Sequence, residues 1–316
     1  MPVAVTATSD DTFWVLGTSL CPTISCLRVL RTVDGGKNWT VVGRPGAALS
    51  LTRRGSGISS IRFADADDGF AFAPDLWATH DRGRSWVADA IPGAVRTLEA
   101  AAGSVFAVVS TGGSDQLFRA HVSDGSWARV ALPHSAAPAY TSLALHGSDV
   151  WIVGGGRSSQ RWLFVSHDSG GTFQTLHAPC VAHLGTALAP VDSQVVWALC
   201  VGGMQSYLER STDGGRDFDQ LPPTPAIPNS SVFGAIGSDT VAVGPGCEDL
   251  LMIDAHGRAK KAIRGKCNGA AMQWAFVGFT DESHAFALRY EFESDPPRGE
   301  LWRTADGGAT WSRLEF

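Results

Sequence analysis

Apolar and polar residues alternate along this chain in short runs, and a tight polar turn splits most runs in two. "TSLALHGSDVWIVGG", "RTLEAAAGSVFAVVS" and "VFGAIGSDTVAVGPG" each read as strand, turn, strand. So do "ISSIRFADADDGFAFA", "TALAPVDSQVVWALC", "WAFVGFTDESHAFALR" and the opening "VAVTATSDDTFWVLG". Alternation at period two, bounded by Gly, Asp and Ser, predicts half-buried strands joined by hairpins.

A second phrase follows the first. "LRTVDGGKNWTVV", "WATHDRGRSWVAD", "FVSHDSGGTFQTL", "ERSTDGGRDFDQL" and "WRTADGGATWSRL" place Asp34, Asp81, Asp168, Asp213 and Asp306 in one frame. "HVSDGSWARV" is a shortened copy around Asp124, and "MIDAHGRAKKA" a degraded one near Asp254. From Asp34 to Asp213 the aspartates recur every 43 to 47 residues, and Asp306 follows two periods later. A period of about 40–50 residues is that of propeller blades. The Asp carboxylate suits closure of a turn onto backbone N–H groups, the glycines suit positive φ, and the aromatic covers the turn. These aspartates are therefore read as scaffold.

The unit is strand A, turn, strand B, loop, strand C, Asp turn, strand D. Seven copies predict an all-β, seven-bladed β-propeller of four-stranded antiparallel blades. The predicted blades are 1–56, 57–92, 93–137, 138–179, 180–230, 231–268 and 269–316, forming one domain over 1–316. "GGG" at Gly154–Gly156 is read as a B–C loop rather than a phosphate loop.

Composition narrows the function. The 316 residues include 36 Gly and 16 Pro, too many for a helical protein. With a net charge of −6 and only isolated basic pairs, a nucleic-acid surface is not expected. No run approaches the about eighteen apolar residues of a membrane span. "MPVAVTATSDD" lacks the basic and apolar regions of a signal peptide, which leaves a cytoplasmic protein or a mature exported one.

The Asp turns resemble the Asp-box (BNR) repeat of sialidases and sortilin-type receptors. The fuller "IRFADADDGFAF…LWATHDRGRSW" and "AFVGFTDESHAFALR…LWRTADGGATW" are most similar to seven-bladed photosystem II assembly-factor-like propellers. The resemblance covers nearly the whole chain and implies the fold; it implies function only weakly, because turn chemistry is what is shared. Sialidases usually carry one blade fewer and need an Arg triad, a Tyr–Glu nucleophile pair and an acid. Their Arg-Ile-Pro motif is absent here. Of the tyrosines Tyr140, Tyr207 and Tyr290, the plausible pair is Tyr290 with Glu291 or Glu293, in the loop-prone "RYEFESDPPRG", so these three are the catalytic candidates.

Alternating strand direction puts the A–B and C–D turns on one face and the longer B–C and D–A loops on the other. The loop face is the expected binding face. Its candidate ligand residues are Arg53, Arg157, Arg161, Tyr207, Arg289 and Tyr290. All six cysteines map there: Cys21, Cys26, Cys180, Cys200, Cys247 and Cys267. The pairings 21–26, 180–200 and 247–267 need only local proximity, and disulfides imply an oxidising, extracytoplasmic compartment; reduced thiols in a cytoplasmic protein are the alternative. "HAPCVAH" spaces His177, Cys180 and His183 like metal ligands, but nothing completes the set, so no metal and no cofactor are expected. The leading reading is an exported, monomeric binding or assembly propeller taking a protein, glycan or small-molecule ligand. The alternatives are a sialidase-like or other glycoside hydrolase, marked by paired carboxylates about 5–10 Å apart, and a small-molecule lyase or cyclase at the central channel mouth.

Overall fold

The computed structural model describes residues 1–19, 26–50, 56–133, 139–155, 161–180, 185–202, 205–222, 227–228, 231–265, 267, 271–291 and 298–315. Strands within them form seven four-stranded sheets, each built from four consecutive strands. Blade one holds β1 (Pro2–Ala7), β2 (Phe13–Ser19), β3 (Cys26–Thr32) and β4 (Thr40–Val41). Blade two holds β5 (Ser60–Phe63), β6 (Gly69–Phe72), β7 (Leu76–Thr79) and β8 (Val87–Ala88). Blade three holds β9 (Ala94–Ala101), β10 (Ser104–Thr111), β11 (Ser114–His121) and β12 (Ala128–Val130). Blade four holds β13 (Ala139–His146), β14 (Asp149–Gly155), β15 (Arg161–Ser166) and β16 (Gln174–His177). Blade five holds β17 (Gly185–Pro190), β18 (Val196–Val201), β19 (Ser206–Ser211) and β20 (Asp219–Gln220). Blade six holds β21 (Ser231–Ile236), β22 (Thr240–Pro245), β23 (Leu250–Asp254) and β24 (Ala259–Ile263). Blade seven holds β25 (Gln273–Phe279), β26 (Ala285–Glu291), β27 (Arg298–Thr304) and β28 (Ser312–Leu314). The chain is a seven-bladed β-propeller, and no helix occurs among the described residues.

Burial explains the patterning. The second strand of each blade is covered on both faces by neighbouring blades, so β6, β14 and β18 read as nearly unbroken apolar runs. The first strand lines the ring axis and alternates, while the last is short and exposed at the rim. Two differences from the sequence reading appear. Gly154 and Gly155 belong to β14 rather than to a loop, because the Tyr140 ring lies where a Gly154 side chain would be, 2.4 Å from its Cβ position. Cys180, with which the sequence reading begins blade five, lies outside its first strand. It precedes β17 with φ of 62°, a left-handed conformation that a strand cannot hold.

Blades are fastened to one another by hydrogen bonds from buried groups. The Trp14 indole donates to the Arg82 carbonyl of blade two (3.0 Å), and Trp151 to the Gly214 carbonyl of blade five (3.1 Å). Inner-strand amides find partners on the preceding blade: Phe63 N donates to Thr6 Oγ1 and Leu188 N to Ser142 Oγ. The first and seventh blades meet by the same means. Phe13 and Phe286 pack with ring centroids 4.5 Å apart, and Arg303 donates to the carbonyls of Gly35 (3.2 Å) and Asp10 (2.9 Å).

The Asp turns are built as an alternating network. In blade one, Thr32 Oγ1 donates to Asp34 Oδ1 (2.8 Å) and accepts from Gly36 N (3.0 Å). Asn38 then donates to Asp34 through its backbone N (2.9 Å) and its Nδ2 (2.6 Å). Blades two, four and seven repeat this with Asp81, Asp168 and Asp306. Asp213 lacks the last bond because Asp217 has no side-chain hydrogen to give. Asp124 keeps one bond, from Ser126 N. The degraded copy still closes on an aspartate: Asp254 Oδ1 accepts from His256 N and Arg258 N. The turn also faces the preceding blade. A side chain on Gly170 would meet Phe106 at 2.7 Å and one on Gly308 would meet Met252 at 2.7 Å, both at positive φ, so only glycine fits.

These turns carry a pH dependence. Backbone N–H of Asn38 first, then the Asn38 and Thr32 side chains, hold Asp34 down to about 2. Asp168 is held to about 2 by Thr172 N first, and Asp306 to about 2 by the Thr310 hydroxyl first. A carboxyl lowered from an unfolded value of about 3.9 stabilises the fold above that value and loses this as pH falls towards about 2. The urea midpoint is therefore expected to fall between pH 4 and pH 2, and to fall less in a D34N/D168N/D306N variant. Equal pH slopes in the two proteins would contradict this role.

Candidate ligand-binding face

Strand direction places the Asp turns on one face of the ring and the B–C and D–A connections on the other. On the Asp-turn face the connections are short, and polar groups are used locally: His80 pairs with Asp68 and His167 with Asp149. The loop face carries two disulfides among the described residues. Cys180–Cys200 ties the segment before β17 to the end of β18, and Cys247–Cys267 joins the segments after β22 and β24. The Cys21–Cys26 pairing lies outside the described residues. Oxidation of Cys180 removes the thiolate that a metal reading of "HAPCVAH" would need, and His183 lies outside the described residues.

A cavity of about 720 Å³ opens on this face across blades two, three and four. Among the described residues its wall is rich in hydroxyls, from Ser59, Ser60, Thr97, Ser110 and Thr141, and contains one cation, Arg96. Arg96 starts on β9 and donates through Nη1 to Asp115 Oδ2 at 2.6 Å. Asp115 is buried and also accepts from Tyr140 N at 3.0 Å, so one carboxylate fixes both the guanidinium and the first strand of blade four. The Arg96 side chain remains 46% exposed, which leaves donors accessible from the cavity. Tyr140 is pushed up to about 12, by burial first and then by the Asp115 charge, so it stays neutral.

A second cavity, about 460 Å³, is the central channel, lined by the first strands of all seven blades. Its walls are mainly Ala, Val, Leu and Phe. Its charged groups, Arg62 and Glu99, are paired with each other at 2.6 Å.

Of the six ligand residues expected from sequence, the four described ones, Arg161, Tyr207, Arg289 and Tyr290, line neither cavity. Arg53 and Arg157 lie outside the described residues, as does Glu293. Arg161, Tyr207 and the pair Arg289–Tyr290 stand in three different blades. Arg289 is buried: it holds Glu300 at 2.6 Å, donates to the Arg264 carbonyl, and lies over the rings of Trp274 and Trp302. That geometry makes it a packing residue. Tyr207 is raised to about 12 by burial first and then by Glu209, whose other role is to accept from Cys180 N. Tyr290 and Glu291 are consecutive in β26, so strand alternation sends them to opposite faces. Tyr290 packs into the core between blades one and seven, and Glu291 pairs with Arg298 at 2.8 Å. The nucleophile pair that a sialidase needs is not assembled from these two. Arg96 was hidden in sequence because "AVRTLEAA" looks like any half-buried strand; the polar "SDQL" that supplies Asp115 was the available signal.

No protein-family model matches the chain, and no curated protein matches it. Solved structures do. The chain is similar to "YCF48 bound to D1 peptide" at 16% identity and a TM-score of 0.63, covering 96% of this chain and 93% of that one. It is similar to YCF48 from Cyanidioschyzon merolae at 14% identity and a TM-score of 0.54, over 80% and 83% of the two chains. An ancestral GH74 enzyme aligns at 11% identity and a TM-score of 0.61, with 99% of this chain matching 54% of that one. At these identities the likeness is one of fold: the chain shares the propeller architecture of YCF48 and of the GH74 enzyme.

Proposed function

We propose that this chain, as one Asp-box propeller domain over 1–316, is a binding module that works outside the cytoplasm and holds an extended protein segment on its loop face. The observation that carries the reading is the hydroxyl-lined cavity of blades two to four, with Arg96 exposed at its wall and braced from behind by buried Asp115. Hydroxyls and a half-exposed guanidinium suit backbone carbonyls and a carboxylate better than an apolar ligand. The protein anchor is thus Arg96 rather than the arginines singled out in the sequence. The likeness to a propeller solved with a peptide supports a protein ligand over a glycan. The disulfides on the same face are compatible with an oxidising compartment and hold the neighbouring loops in place.

Peptides selected on the oxidised protein from a random 12-residue display library supply the probe. Fluorescence anisotropy is expected to show binding that weakens about tenfold or more in Arg96→Ala and recovers partly in Arg96→Lys. Peptides that bind the wild type and Arg96→Ala equally would overturn the assignment of the anchor.

A further inference from the structure

The meeting of the first and last blades holds a second cluster of chemistry-bearing groups. The A–B turn of blade one carries Asp10, and the A–B turn of blade seven carries Asp281 and His284. His284 Nδ1 lies 3.1 Å from Asp10 Oδ1 and 3.1 and 3.0 Å from the two Asp281 oxygens. The ligand atoms of all three residues fall within 4.8 Å of one another. Two of the three are held in place by their own turn. Asp281 Oδ1 accepts from Ser283 N (2.6 Å) and His284 N (2.9 Å), while the His284 carbonyl accepts from Thr280 N (2.8 Å). Asp10 arrives from the other blade.

Two carboxylates from different blades are thereby set side by side, which like charge disfavours unless a proton or a cation lies between them. Arg303 is near but directs its Nη1 and Nη2 to the carbonyls of Gly35 and Asp10. The remaining neighbour is an imidazole, which suits first-row transition metals more than calcium or magnesium. Metal bonds of about 2.0–2.1 Å in a tetrahedral site put ligand atoms about 3.3 Å apart, so the separations of His284 Nδ1 from Asp10 (3.1 Å) and Asp281 (3.0 Å) need open by only a few tenths of an ångström. All three side chains are partly exposed, which leaves room for a water at the fourth position.

We propose that Asp10, Asp281 and His284 bind a divalent transition-metal ion of the zinc class, one ligand from blade one and two from blade seven, and that the ion fastens the ring at its seam. The competing arrangement is a metal-free cluster in which a protonated His284 balances the two carboxylates, and the two are separated by titration. The oxidised full chain is treated with EDTA and titrated with Zn²⁺, Co²⁺ and Mg²⁺, in parallel with D10N and H284A. One zinc per chain is expected by calorimetry, with the melting temperature raised by about 2–5 °C at a hundredfold excess over Kd. Cobalt is expected to give the visible absorption of a four-coordinate site, magnesium no shift, and both variants at least tenfold weaker zinc binding. Zinc binding or a thermal shift that survives in D10N and H284A, or an equal response to magnesium, would overturn the proposal. D10N preserves side-chain shape and keeps the test decisive if H284A does not fold.

Discussion

Trp151→Ala is expected to lower the unfolding free energy by about 3–5 kcal/mol, among the largest losses any single substitution in this ring would cause. Trp151 is fully buried between blades four and five, packed with Val153, Leu163, Val165 and Val196. Truncation would leave a cavity at a blade interface, where neither sheet can shift without breaking its own ladder. It would also strand the Gly214 carbonyl, which accepts the indole N–H inside the Asp turn of the next blade. Trp151→Phe separates the two contributions: it keeps most of the buried area and loses the hydrogen bond, at an expected cost of about 1–3 kcal/mol. Equilibrium urea unfolding of the three proteins measures both. A loss below about 1 kcal/mol for Trp151→Ala would mean that the blades are not fastened through this residue.

The second large effect belongs to the disulfides. Each described bridge closes a segment of 20 residues, for which the chain-entropy model gives about 3 kcal/mol. Cys180 and Cys200 are buried, so C180A/C200A adds some loss of packing to the loss of the cross-link. The double variant is expected to unfold at lower urea by an amount equivalent to about 3–4 kcal/mol, and the wild type in reductant to move towards it. An unchanged midpoint in reductant would contradict the bracing of the loop face and would remove the support for an oxidising compartment.

The fold was legible in sequence because a propeller repeats its turn chemistry. The spacing from Asp34 to Asp306 is covalent information, and each Ser/Thr-x-Asp-x-Gly phrase closes on itself without help from distant residues. The same locality explains why 180–200 and 247–267 were readable as pairs: each joins neighbouring segments of one blade. The candidate site was less legible, for a physical reason. Its wall takes residues from three blades, and Arg96, Asp115 and Tyr140 are brought together by packing of β9, β11 and β13, which no short phrase records. Arg289 shows the opposite failure. In sequence it is a charged residue before a loop; in the ring its guanidinium is buried between two tryptophans and neutralised by Glu300. The role of Trp14 and Trp151 in holding the next blade's turn was likewise invisible, since the acceptors at Arg82 and Gly214 lie more than a blade away in the chain.

The central claim is that ligand is taken on the loop face at blades two to four, and photo-cross-linking from defined positions tests it most directly. A benzoylphenylalanine at Ser59, in the cavity wall, and one at Lys37, exposed in the first Asp turn, report the two faces of the ring. With a library-selected peptide at saturating concentration, cross-linking is expected from position 59 and not from position 37. Cross-linking from position 37 alone would place the ligand on the Asp-turn face and contradict the account.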